Sequence, residues 1–155
     1  MPTGYQLATS VKPIRVSNAV AAGNATNVNS TSVDCANADG VRFTVLFGTL
    51  TANQVTSVKL QGGALANGAD AADLLDSETG NVIQTANLAD ADTNRTAVLE
   101  VFKPKVRYVR AVVNRGTANA VVDGILAELI LRNPLAYTAD ATQAVAAKGS
   151  YATIA

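Results

Sequence analysis

Three stretches of this sequence carry side chains in patterns that chemistry uses. The first is Asp90-Ala91-Asp92-Thr93-Asn94, where oxygen-bearing side chains alternate as in a calcium-binding loop. Such a loop next needs a glycine for its sharp turn and, later, a bidentate glutamate, but Arg95 and Val101 stand at those places. The second is the acidic set Asp70, Asp73, Asp76 and Glu78, from which a carboxylate pair for glycoside hydrolysis can be drawn. Its background is rich in alanine and offers no aromatic platform for a sugar. The third is Lys103, Lys105, Arg107, Tyr108 and Arg110, cations interleaved with an aromatic ring, a combination that suits a single nucleic-acid strand or a protein surface. One tyrosine and a compensating acidic segment upstream argue against nucleic acid.

The remaining chemistry is limited by what the chain lacks. It has no histidine, which removes Ser-His-Asp and Cys-His catalysis and histidine metal sites. Gly62-Gly63 leads to neither a lysine nor a helix signal, so no phosphate-cradling loop is expected. Cys35 is the only cysteine, which excludes an intrachain disulfide and reads as a small buried hydrophobe. Asn24-Ala25-Thr26, Asn29-Ser30-Thr31 and Asn94-Arg95-Thr96 match the glycosylation sequon, but the N-terminus shows no signal-peptide pattern and the matches read as chance. The expectation is a protein that is not an enzyme, with no cofactor and no metal. Neither a nucleic-acid nor a membrane partner is expected, since no apolar run approaches a membrane span.

Composition points toward contact surfaces. Hydrophobic residues make up 48% of the 155 residues while aromatics make up 5%, so alanine and valine must build a thin, finely packed core. Charged residues are 15%, against roughly 25% in ordinary soluble domains. A chain with so few charges often hides surface in an assembly. Twelve basic and twelve acidic residues cancel, but they are segregated. Asp70 to Asp92 is acidic; Arg95, Lys103, Lys105, Arg107, Arg110 and Arg115 follow, interrupted only by Glu100. Two readings stay open: solvated faces, or an acidic loop of one subunit meeting the basic segment of its neighbour.

These residues must be positioned by strands. Thr96–Phe102 and Val106–Val113 are β-rich runs joined by Lys103-Pro104-Lys105, where proline belongs in a connection, and they are expected to pair as an antiparallel hairpin. Alternation then sets Arg107 and Arg110 on opposite faces. Val41–Leu50 is the clearest strand, with Val41, Phe43, Val45 and Phe47 on one face, after a turn at Ala38-Asp39-Gly40. Val55–Gln61 alternates Val58 and Leu60 against Lys59 and Gln61, and Gly62-Gly63 is expected to break it. Val11–Val20 holds a first strand that Pro13 pushes toward an edge, and Ala21–Thr31 is loop plus a weak strand into Val33 and Cys35. Ala64–Asp92 is irregular, with a weak helical turn around Asp70–Leu75 and a turn at Ser77–Asn81. Val121–Leu131 is read as the last strand, with a bulge at Asp123-Gly124, and a helix over Ile125–Arg132 as its competitor.

The fold expected is all-β: an antiparallel β-sandwich or jelly-roll-like single domain with extended terminal arms. Residues 1–32 form an N-terminal arm and first edge strand, 33–135 the sandwich core, and 136–155 a C-terminal arm. That last segment is either a frayed tail or an arm that orders on a neighbouring subunit through Tyr137 and Tyr151.

The order of segments resembles the small β-sandwich proteins of tailed bacteriophages described as capsid decoration (cement) proteins. The likeness lies in Asp39-Gly40-Val41-Arg42-Phe43-Thr44-Val45 with Gly48-Thr49-Leu50, then Val58-Lys59-Leu60-Gln61, then Lys105-Val106-Arg107-Tyr108-Val109-Arg110, closing on Leu131-Arg132-Asn133-Pro134. It covers about Val33–Leu135. Where such proteins often carry an acidic, Trp-containing loop, this chain has Gly62-Gly63-Ala64-Leu65-Ala66, and the tail after Pro134 is extended. The resemblance implies a homo-oligomeric subunit, a trimer, on the outside of the capsid of a virion, with the major capsid protein as partner. Lys103, Lys105, Arg107, Tyr108, Arg110, Tyr137 and Tyr151 are the contact residues this reading selects. A receptor- or carbohydrate-binding module of a phage fibre, and a neck or tail component, are its competitors.

Overall fold

In the computed structural model, residues 10–132 are described. They form ten strands: β1 Val11–Ser17, β2 Val20–Gly23, β3 Val28–Asn29, β4 Val33–Asp34, β5 Ala38–Leu50, β6 Thr56–Gly63, β7 Ala72–Asp73, β8 Thr96–Phe102, β9 Tyr108–Arg115 and β10 Ala120–Leu131, with a short 3-10 turn at Asp90–Asp92. All pairings between strands are antiparallel.

One sheet runs β1-β10-β5-β8 with β2 added beside β10; the other runs β3-β9-β6-β7 with β4 also on β9. β3 and β4 pair with the same strand, so together they act as one interrupted strand. With β2 set aside, eight strands remain. One sheet then takes the first, eighth, third and sixth, and the other the second, seventh, fourth and fifth. That order, with every consecutive step but the fourth to the fifth crossing from sheet to sheet, is a jelly-roll sandwich.

Alternation explains which residues fill it. Val41, Phe43, Val45 and Phe47 of β5 are buried against Val58 and Leu60 of β6, Val109, Ala111 and Val113 of β9, and Ile125, Ala127 and Leu129 of β10. Phe43 is fully buried and is the largest such side chain, which suits a core built mainly of valine and alanine. Val16 and Val28, both before residue 33, are part of this core. Pro13 sits in β1 at the sheet edge, where its missing N–H costs no ladder bond. β10 is a strand along its whole length and not a helix, with its register shifting around Gly124 at φ +158°. Pairing with β5 along its length on one side, and with β1 and β2 on the other, satisfies most of its backbone, which outweighs the helix propensity of Leu126 to Leu129.

The expected hairpin does not form. β8 pairs with β5 over seven residues, while β9 pairs with β6 in the other sheet, and residues 103–107 carry the chain across. A five-residue link spans the ~10 Å between stacked sheets as readily as it closes a hairpin. In this arrangement Ala97 and Leu99 reach the core from β8 and Val109 and Ala111 from β9, out of facing sheets.

Three smaller expectations also fail. Ala38-Asp39-Gly40 is the start of β5; the turn lies at Ala36-Asn37, closed by the Ala38 N–H on the Cys35 carbonyl at 3.1 Å. Gly62 and Gly63 are the last two residues of β6, paired with Val109 and Tyr108, so the strand runs through the expected break before it ends. Glycine is needed there because a Cβ on Gly62 would meet Val106 Cγ2, and one on Gly63 would meet the Asp70 carboxylate. No helical turn forms over Asp70–Leu75; β7 adds to β6 instead, because Asp73 gains the Lys59 ammonium and the Gln61 amide there.

Candidate interaction surface

The basic segment folds into a fixed corner between the sheets. Lys103 adopts φ +48°, turning the chain out of β8, and its N–H donates to the Asp39 carbonyl at 2.6 Å. At the other end the Cys35 N–H donates to the Arg107 carbonyl at 2.7 Å. Val106 tucks inward against the core, so Lys103, Lys105 and Arg107 alternate outward and are exposed. Phe102 is 65% exposed, with the Lys103 ammonium 5.4 Å from its ring centroid. The Arg107 guanidinium lies 5.2 Å from the Tyr108 ring. Both distances fall in the cation–π range, which keeps the cations beside the rings and leaves them solvated.

The charges differ in how they are held. Arg107 donates from Nη2 to Asp34 Oδ2 at 2.8 Å and from Nε to both carboxylate oxygens at 3.2 Å. The hydrogen bond from Arg107 holds the Asp34 carboxyl below the usual carboxylate range. Among the described residues, Lys103 and Lys105 make no ion pair. Arg110 does not join the corner. It lies on the outer face of the β6–β9 sheet, donating to Gln61 Oε1 at 2.7 and 3.1 Å, and its guanidinium packs over Gly68. Arg107 and Arg110 therefore serve different places, but the reason is that Arg107 precedes β9 rather than that a strand alternates. Tyr137 and Tyr151 lie outside the described residues.

The acidic segment turns mostly on its own chain. Asp70 accepts from the Ala64 N–H at 2.7 Å and the Leu65 N–H at 3.1 Å, and Asp76 accepts from Glu78, Thr79 and the Thr79 hydroxyl. Backbone N–H donors, from Ala64 and Thr79 first, lower the pKa of both groups. Asp73 is lowered first by the Lys59 hydrogen bond and then by Gln61. In the candidate calcium run, Asp90 accepts from the Asn53 N–H at 2.9 Å, Asp92 from the Ala89 N–H at 2.8 Å, and the Thr93 hydroxyl from the Leu50 N–H at 3.1 Å. These side chains fasten a loop to the sandwich. Among the described residues, no group of three or more His, Cys, Asp or Glu is placed to share an ion.

Sequence reasoning passed over two features. Arg115 is only 6% exposed and donates to the carbonyls of Ala21, Thr26 and Ala120 and to the Thr26 hydroxyl. It ties the β2–β3 segment to the start of β10 and is structural. The second is the outer face of the β1-β10-β5-β8 sheet, where Phe102, Val98 and Leu126 are 65%, 53% and 38% exposed. The signal was present in the alternation Thr96, Val98, Glu100, Phe102, which puts every second residue of β8 opposite to Ala97 and Leu99.

No family model matches the chain, and no curated protein matches it. Among solved structures, the structure of infectious bursal disease virus Gt strain is similar at 10% identity and a TM-score of 0.27, over 78% of this chain. This chain spans 36% of the length of that one. A likeness this loose fixes neither a family nor a role.

Proposed function

We propose that this chain is a structural virion protein of the decoration type. It binds the outer surface of an assembled phage capsid as a homo-oligomer, a trimer, and holds neighbouring major capsid proteins together. The observation that carries the reading is the corner from Phe102 to Tyr108, with an exposed ring, two cations without ion pairs and a backbone pinned at both ends. Such a surface is preorganised for contact, so little ordering entropy is lost when it docks. Its lysines match an acidic rim on the partner, and its phenylalanine an apolar centre. The segment likeness to decoration proteins supports the same reading, and the jelly-roll scaffold is compatible with it. Binding only to the assembled lattice stabilises that lattice by mass action, and repeated sites multiply modest contacts into avidity.

The test is co-sedimentation of the purified protein with expanded empty shells of its phage. Native protein is expected in the shell fraction at saturable stoichiometry, and the Lys103→Glu, Lys105→Glu double variant in the supernatant. Native protein that stays in the supernatant overturns the reading.

A further inference from the structure

The hydrogen bonds flanking the β5–β8 ladder reveal what the free side of β8 offers. The Phe47 N–H donates to Arg95 O at 2.9 Å and the Lys103 N–H to Asp39 O at 2.6 Å. Both join odd-numbered residues in the same uninterrupted register as Val45↔Ala97, Phe43↔Leu99 and Val41↔Val101. In an antiparallel ladder the bonded pairs alternate, so the odd residues of β8 spend their backbone groups on β5. Thr96, Val98, Glu100 and Phe102 then point their N–H and C=O groups away from the sheet. Among the described residues, no strand pairs with that side of β8. The opposite edge of the same sheet is blunted by Pro13, whereas this one is straight and carries exposed Val98 and Phe102.

We propose that the open edge of β8 binds an extended peptide segment of another protein as an added strand, selecting a basic side chain flanked two residues away on both sides by apolar ones. The specificity follows from the outer face, where Val98, Glu100 and Phe102 project in line. An added strand sets its own alternate side chains about 5 Å from these three. Glu100 makes no hydrogen bond or ion pair among the described residues, and its register neighbour Arg42 is committed to Glu128 through Nε at 2.8 Å. The row Glu128, Arg42, Glu100 therefore carries one uncompensated negative charge. A lysine or arginine opposite Glu100 neutralises it, while apolar residues cover Val98 and Phe102.

A second copy of β8 fits poorly. The antiparallel register that matches Val98 to Phe102 sets Glu100 against Glu100, and like charges directly opposite are destabilising. The chain's own ends lack the pattern too. Residues 1–9 hold no lysine or arginine, and residues 133–155 hold only Lys148, with Ala146 and Ser150 two positions away. This site does not rest on the virion reading.

The test is fluorescence anisotropy with a labelled, end-capped heptapeptide of sequence Thr-Val-Thr-Lys-Thr-Val-Thr, and a second with glutamate in place of lysine. The lysine peptide is expected to saturate the protein and to bind about tenfold tighter than the glutamate peptide. Glu100→Lys, an exposed change, is expected to reverse that order. Val98→Pro removes an N–H that β5 does not use, so it is expected to abolish binding of both peptides while leaving the circular dichroism and unfolding midpoint near native. Neither peptide binding, equal affinities, or an order unchanged by Glu100→Lys overturns the proposal. So does a native dimer in sedimentation velocity that Val98→Pro dissolves, since the edge would then belong to a second copy.

Discussion

Arg107 Nη2 stands 2.8 Å from Asp34 Oδ2, which fastens the corner between the two sheets to β4, a strand more than seventy residues earlier in the chain. The pair is charge-assisted and touches both carboxylate oxygens, yet the two side chains are 58% and 42% exposed. Solvent screening limits what it contributes. A double-mutant cycle with Arg107→Ala and Asp34→Ala, read by urea unfolding, is expected to give a coupling that is favourable but small, as for other solvated ion pairs. The coupling should shrink in roughly 0.5 M salt, where the Debye length falls to a few ångströms. A large coupling that salt leaves unchanged would mean that the corner is far less hydrated than its exposure implies.

Acid should loosen the irregular segment and the corner together. Asp34, Asp70, Asp73 and Asp76 all have pKa values lowered from 3.8 in the folded chain, by Arg107, by backbone N–H groups, by Lys59 and by the Thr79 N–H respectively. The unfolded chain binds protons more readily than the folded one near that value. The stability these groups contribute is therefore fully present above pH 3.8 and is lost as pH falls through the lower folded values. Urea midpoints should be level from neutral pH to about 5 with respect to these groups and fall steeply below about 4. Asp76→Asn and Asp73→Asn should each flatten that fall; an unchanged acid limb in the double variant contradicts the assignment.

Arg115 predicts a larger loss. Its guanidinium is buried and satisfies three backbone carbonyls and a threonine hydroxyl, so Arg115→Met leaves several acceptors in the interior without donors. The expected cost is about 3 kcal/mol, measured by chemical unfolding. Gly23→Ala should act through the same contact, because a Cβ there would stand 3.1 Å from the guanidinium and displace it. Full stability in either variant would show that water replaces these bonds.

Cys35 should be inert in the folded chain. It is 6% exposed, and burial, reinforced by the Asp34 charge, pushes its pKa up from 9.0 to about 11. Alkylation by iodoacetamide at pH 8 should proceed on the timescale of unfolding and accelerate sharply in denaturing urea. Rapid modification under native conditions would mean that the β4–β5 connection opens locally.

Much of the fold was legible because strand alternation is a local property. The buried face Val41, Phe43, Val45, Phe47 and the pairing of Val58 with Leu60 follow from every second residue being apolar, and the all-β class follows from repeating that pattern down the chain. Turn chemistry at Ser77–Thr79 and the bulge at Gly124 were legible for the same reason, since each depends on residues within a few positions. The pair Gly62-Gly63 signals a break just before the strand really ends, because what requires glycine there, Val106 and Asp70 pressing on β6, lies elsewhere in the chain.

The sequence by itself determined the long strands, the apolar face of each, the buried thiol and the absence of histidine chemistry. Which strands meet was decided only by the tertiary structure. A short link after Phe102 suits a hairpin and a sheet-to-sheet crossing equally, and no residue in Lys103–Arg107 distinguishes them. The crossing wins because it buries Ala97 and Leu99 from one sheet against Val109 and Ala111 from the other. That choice also created the two surfaces of interest. It moved Lys103, Lys105 and Arg107 from a hairpin tip to a fixed corner, and it left β8 with one paired side and one open side.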